Sequence, residues 1–176
     1  MISVLESEAR DFAKLVHGEQ KRKYTGELYV DTHLKNVAEL VRLVEPVPEM
    51  LAAAWLHDVI EDTDFGLSDI VKKCGAAVGS YVYQLTESRG HTRSFMKAVY
   101  RSKMEYASPG AKTIKLADLI DNMKDIVERD PKFAKIYLAE KGELLPVLVG
   151  GDLGLWQIAN TIRLRGLKEL GNINRA

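Results

Sequence analysis

Apolar residues recur along this chain at helical spacing, three and four positions apart, with little of the single alternation that marks a half-buried strand. The pattern predicts an all-α fold, a bundle of about nine helices, and no strand. The first helix opens at Ser3, where Glu6 three residues on gives a capping-box pattern, and carries Leu5, Ala9, Phe12, Ala13 and Val16 on one stripe up to Gly18. A polar loop rich in Lys, Arg and Gly follows over 19–29. The next helix is expected over 32–44 with Leu34, Val37, Ala38 and Val41 inward; Pro46 and Pro48 end it and start another. Residues 50–60 are nearly continuous apolar sequence, so that helix should be buried on most sides and lie at the centre. Beyond a loop at 62–66, Ser68 is expected to cap a short helix ending at Gly75. Helices over 76–87, 97–106, 111–128, 131–149 and 153–170 follow, with Pro109, Pro131 and the pair Gly150 and Gly151 as breaks.

Length and composition narrow the class. At 176 residues a single domain over 1–176 is the expectation, and 46% hydrophobic against 28% charged residues supplies a core with too little charge for disorder. Lys plus Arg and Asp plus Glu are both 25, so no net field draws the chain to nucleic acid or an anionic membrane, and neither is an expected partner. Apolar stretches such as 50–56 fall far short of the roughly 20 residues of a bilayer span. No signal-peptide pattern is visible, so a cytoplasmic location is expected. The one cysteine, Cys74, offers neither an internal disulfide nor a thiolate metal site, and reads as a buried or half-buried helix residue.

Chemistry interrupts the apolar helix. In AAAWLHDVIEDT, residues 52–63, His57, Asp58, Glu61 and Asp62 fall within an arc of about 140° at helical spacing, so the pattern puts all four on one face. Three carboxylates beside an imidazole repel one another and lose hydration on burial, a conflict that a divalent cation or basic partners resolve. A His-Asp pair alone is a short motif that arises by chance, and its specificity comes from its company. His33 opens the helix 24 residues upstream of His57, and Asp118 stands in IKLADLIDN, another apolar helix broken by acids. Two imidazoles and two carboxylates suit Mn²⁺, Fe²⁺, Mg²⁺ or Zn²⁺. His17 and His91 read as ordinary histidines, and Lys97, Arg101 and Lys103 lie on one predicted helix that could reach phosphates but reads first as a solvated face.

Three motifs in order, HGEQKRKYTGELY before His33, AAAWLHDVIEDT and KLADLIDN, resemble the hydrolase domain of the RelA/SpoT family, and especially the small single-domain alarmone hydrolases. The resemblance covers roughly residues 10–130. It implies an all-helical HD bundle with one Mn²⁺ and the removal of pyrophosphate from the 3′ position of ppGpp. It further implies that His33, His57, Asp58 and Asp118 are the metal ligands, that Glu61 and Asp62 orient or deprotonate the attacking water, and that Asn122 lies near the substrate. Arg22 and Lys23 match the basic pair of the family's loop, where the arginine packs against guanine. Leu28 stands where the family usually has proline. Leu119 stands where the alarmone enzymes usually carry Arg or Lys, so Lys115, one turn earlier, or Arg101 is expected to supply that charge, and Leu119→Arg to raise activity.

The expected activity is thus metal-dependent phosphohydrolysis of a small nucleotide. A phosphatase or phosphodiesterase acting on another nucleotide through the same metal site is the alternative enzyme. A non-catalytic nucleotide-binding or interaction module is the alternative of another class.

Overall fold

A computed structural model of the chain describes residues 2–173. It is all-α: eleven α-helices, a π-helical turn and a 3₁₀ turn, and among the described residues the extended pairing is limited to one isolated bridge between Lys21 and Leu28. The helices are α1 (Val4–His17), α2 (Lys35–Val44), α3 (Pro48–Leu56), α4 (Val59–Asp62), α5 (Leu67–Cys74), α6 (Ala76–Leu85), α7 (Arg93–Glu105), α8 (Pro109–Met123), α9 (Ile126–Arg129), α10 (Pro131–Leu144) and α11 (Leu153–Ile173). No helix among the described residues is long and apolar enough to cross a membrane.

α3 and α8 form the centre. From Met50 to Leu56 every side chain of α3 is buried, as the unbroken apolar run requires, and α8 buries most of its length. α1, α2, α6 and α8 pack around α3, while α2 and α11 cover α8. The stripe on α1 docks as its spacing dictates: Ala9 and Ala13 are buried, and Leu5, Phe12 and Val16 pack against the core. The helix closes at Gly18, whose φ of 51° favours glycine.

Several boundaries differ from the sequence expectation, each for a local reason. Only half of the capping box on α1 forms. Ser3 Oγ accepts from the Glu6 amide at 3.1 Å, but the Glu6 carboxylate turns into the core toward Arg42 and the Trp55 indole. Ser68 lies inside α5, whose start is set by Gly66, with the Asp69 carboxylate accepting the Gly66 amide at 2.9 Å. The expected helix over 111–128 divides at Lys124–Asp125, and the one over 131–149 ends in a 3₁₀ turn at Leu145–Leu148.

Two further departures shape the site. α2 is preceded by a π-helical turn, Val30–Leu34, which carries His33. The expected continuous helix over 50–60 breaks between α3 and α4 at His57 and Asp58, where Asp58 has φ −98° and ψ −2°. There the His57 ring donates from Nδ1 to the Ala54 carbonyl at 2.9 Å, competing for the acceptor that a regular helix gives to the Asp58 amide. His57, Asp58, Glu61 and Asp62 therefore do not share one face of a regular helix.

Candidate metal centre and hydrolytic site

The breaks bring His33, His57 and Asp58 together, with one ligand atom of each lying within 4.8 Å of the others. His33 Nε2 is 3.4 Å from His57 Nε2 and 3.5 Å from Asp58 Oδ2, and His57 Nε2 is 3.1 Å from the same Asp58 oxygen. Asp118, on α8, points Oδ1 into the cluster at 3.4 Å from His33 Nε2 and 3.7 Å from His57 Nε2. It falls outside the tight triad, and its oxygens are shared: Oδ1 accepts from Asn122 Nδ2 at 2.6 Å, and Oδ2 pairs with Lys115 Nζ at 2.8 Å.

The protons on the two rings follow from their outer partners. His57 Nδ1 faces a carbonyl, which only accepts, so it carries hydrogen. His33 Nδ1 lies 2.7 Å from Asp121 Oδ2, a carboxylate that also meets Arg22, so it too is the donor. Both Nε2 atoms are then left facing each other. Protonating both sets N–H against N–H, whereas a cation among them accepts both lone pairs and offsets the carboxylates. The donor set fits a divalent metal in its chemistry, its burial and the direction of its lone pairs.

Without a cation, the cluster shifts its own proton affinities. Burial alone lowers the affinity of both imidazoles, but the carboxylates outweigh it. Hydrogen bonds to Asp118, Asp121 and Asp58 lift His33 to about 9, and the charges and hydrogen bonds of Asp58 and Asp118 raise His57 well above its usual value. Burial opposes ionisation of Asp58 and Asp118; the imidazoles and, for Asp118, Lys115 overcome it and hold both carboxyls well below the usual range.

A supporting layer orients these groups. Asp121 accepts from His33, from Asn36 Nδ2 at 2.8 Å and from Lys124 at 2.6 Å, and pairs with Arg22. The Tyr29 hydroxyl donates to Asp58, and its ring lies 4.9 Å from the His33 ring. Asp121, Asn36 and Tyr29 are absent from the sequence reading. One signal was available for Asp121, an acid three residues beyond Asp118 and so on the same helical face. Nothing local marks Tyr29 or Asn36, whose partners are distant in the chain.

The remaining expected residues divide. Glu61 is half-buried beside the cluster. Burial raises its pKa, and its Oε1 accepts the Glu87 amide at 2.7 Å. Asp62 lies at the exposed rim, where Oδ2 accepts from Gln20 Nε2 at 2.8 Å. Arg22 is directed inward at Asp121 and, at 3.3 Å, at Asn122 Oδ1, and it lines a cleft of about 350 Å³ with Asn36, Lys35 and Lys124. Lys23 is exposed and reaches the Tyr24 hydroxyl at 3.1 Å. Lys115 meets Asp118, as described, and lies over the Tyr100 ring. Arg101 pairs with Glu143 and Lys97 with Glu87, so these cations already have acids; Lys103 caps the carbonyls of Tyr83 and Thr86. Leu119 is 0% exposed, within the core. Its position offers no site for a substrate-facing cation, which removes the physical basis for a gain from Leu119→Arg.

The HD domain family model matches residues 9–156. Among similar proteins, the guanosine-3′,5′-bis(diphosphate) 3′-pyrophosphohydrolases MESH1 of Drosophila melanogaster and Homo sapiens are 32% identical over 126 residues and 34% over 128. These alignments cover 70% and 71% of both chains, respectively. A solved structure of a metazoan ortholog of SpoT that hydrolyses ppGpp matches 94% of this chain and 97% of its own, with a TM-score of 0.84 and 29% identity.

Proposed function

The chain belongs to the HD-domain family, and on that premise we propose that it is a Mn²⁺-dependent hydrolase of guanosine 3′,5′-bis(diphosphate), releasing pyrophosphate from the 3′ position and leaving GDP. The phosphohydrolase class follows from the family and the ligand cluster. The nucleotide is inferred from relatives of similar length and from the close structural likeness. One observation carries the reading: two buried imidazoles turn their Nε2 atoms toward each other and toward Asp58, with their Nδ1 atoms engaged elsewhere. A single domain spanning 1–176 and a small-molecule partner complete the proposal.

His33, His57 and Asp58 are the proposed ligands, with Asp118 as the fourth. A divalent cation there supplies a Lewis acid for the phosphoryl group and for water. Glu61 is the proposed proton acceptor. Burial raises its proton affinity, and the Glu87 amide holds Oε1, leaving Oε2 as the proposed proton acceptor. Asp62 orients the same water from the rim. Lys115 neutralises Asp118 and contributes positive charge toward the phosphates; Arg101, the second proposed contributor, would exchange its pairing with Glu143 for a phosphate. Arg22, Lys23 and Asn122 are the proposed contacts for the nucleoside end, Arg22 being already set by Asp121.

The test is turnover. Purified protein with Mn²⁺ is incubated with ppGpp, nucleoside monophosphates and cyclic nucleotides, and products are resolved by chromatography with Asp58→Ala as control. GDP plus pyrophosphate from ppGpp alone supports the proposal. Cleavage of a monophosphate or cyclic nucleotide with ppGpp intact replaces the substrate but keeps the metal hydrolase, and no turnover of any nucleotide contradicts both.

A further inference from the structure

His17 is a buried histidine on the last turn of α1, away from the ligand cluster, and its Nε2 has no hydrogen-bond partner. Its other nitrogen is tightly engaged: Nδ1 lies 2.6 Å from Gln20 Oε1. Gln20 in turn donates from Nε2 to Asp62 Oδ2 at 2.8 Å, across 42 residues of chain. We propose that His17 and Gln20 are positioning residues that hold Asp62 in one rotamer, with Oδ1 turned to the water. The proposal rests on the reading of Asp62 as a water-orienting group.

The amide can face only one way. With Oε1 toward His17, the ring donates from Nδ1 and the NH₂ group meets the carboxylate; the reversed amide sets oxygen against oxygen at Asp62. Asp62 thus sets which end of Gln20 it meets, and His17, donating from Nδ1, anchors the other end. The backbone fixes the rest. The Gln20 amide donates to the His17 carbonyl at 2.9 Å, and the Gln20 carbonyl accepts from the Tyr29 amide at 2.8 Å. Gly18, at φ 51°, turns the chain so that both bonds close. Tyr29 ties the same segment to the metal centre, its ring 5.5 Å from that of His17 and its hydroxyl on Asp58.

An exposed aspartate without such a partner samples several rotamers in water, and a misplacement of about 1 Å near the reacting atoms costs up to about 100-fold in rate. Among the described residues, Asp62 Oδ1 takes no hydrogen bond, so the arrangement fixes one oxygen and leaves the other available.

The experiment compares Gln20→Leu, His17→Leu, His17→Asn and Asp62→Asn, with ppGpp and Mn²⁺. Gln20→Leu is expected to lower kcat by about 10-fold to 100-fold, with KM within about 3-fold and Mn²⁺ content unchanged. His17→Asn, which keeps a donor near the place of Nδ1, should lie closer to wild type than His17→Leu. Gln20→Leu should add little in the Asp62→Asn background, since it acts through that residue. Independently of turnover, the Gln20 side-chain amide signals in a ¹⁵N spectrum of the metal-free protein should move in Asp62→Asn. Wild-type kcat in Gln20→Leu alongside an impaired Asp62→Asn overturns this inference alone, as does an unmoved Gln20 signal. Wild-type kcat in Asp62→Asn overturns the role of Asp62 first, and this inference with it.

Discussion

The Nε2 atoms of His33 and His57 face each other at 3.4 Å, while the opposite nitrogen of each ring donates to an acceptor outside the cluster. Neither ring can turn its lone pair away without losing that outer bond. Asp121 holds one of the two rings, and its replacement by the isosteric Asn weakens that hold without emptying the space. Asp121→Asn should fold and should lose about 10-fold to 100-fold in metal affinity, the usual cost of removing a carboxylate behind a ligating histidine. Titration against a competing chelator measures it, and unchanged affinity refutes the orienting role.

Glu61→Gln separates catalysis from metal binding. The amide preserves shape and the acceptor for the Glu87 N–H but takes no proton. Metal content should remain stoichiometric and kcat should fall by about 10² to 10⁴, with KM within a few fold. Steady-state kinetics with metal analysis on one preparation decides it, and wild-type kcat removes Glu61 from water activation.

The charge missing at Leu119 comes with a test. Leu119 is fully buried, so Leu119→Arg places an unpaired guanidinium in the core and should lower the thermal midpoint sharply without raising ppGpp turnover. Calorimetry and an activity assay on the same variant check both halves. A stable variant with increased turnover restores a substrate-facing role for this position.

Lys141 sets a pH dependence of stability. It is buried on α10 with its ammonium 4.4 Å from the Tyr137 ring centre, facing the charges of Lys115, Lys97, Asp118 and Glu87. Burial, with repulsion from the two lysines, lowers its pKa from 10.5 to about 7. Between those values the folded chain binds fewer protons than the unfolded one, so stability rises with pH across the window; below about 7 the full cost of a buried charge remains. Lys141→Met should therefore be more stable than wild type at pH 7, with the gap closing toward pH 10. Denaturant titrations at intervals across that range test it, and a gap independent of pH contradicts it.

The features of the site visible in the sequence are those encoded by local pattern. The apolar run through Leu56 marks α3 as central, and acids inside apolar helices mark Asp58 and Asp118, because buried charge without a partner is costly. Helical spacing misplaced the geometry around His57, since a side chain competing for the Ala54 carbonyl breaks the helix that the spacing assumes. The π-turn that carries His33 leaves no periodic signature. Contacts such as Tyr29 to Asp58 and Gln20 to Asp62 join residues 29 and 42 positions apart, and only the packing of the loop over 19–29 against α4 and its neighbours creates them. Glu6 illustrates the same limit, because its capping role yields to Arg42 and Trp55 from other helices.

The central claim is that His33, His57 and Asp58 hold a divalent cation. Anomalous diffraction from crystals grown with Mn²⁺ tests it most directly. The account predicts one strong peak within about 2.5 Å of His33 Nε2, His57 Nε2 and an Asp58 oxygen, the range of metal–ligand distances in proteins. A fully loaded protein whose peak lies elsewhere, with the two imidazoles still facing each other at contact distance, contradicts it.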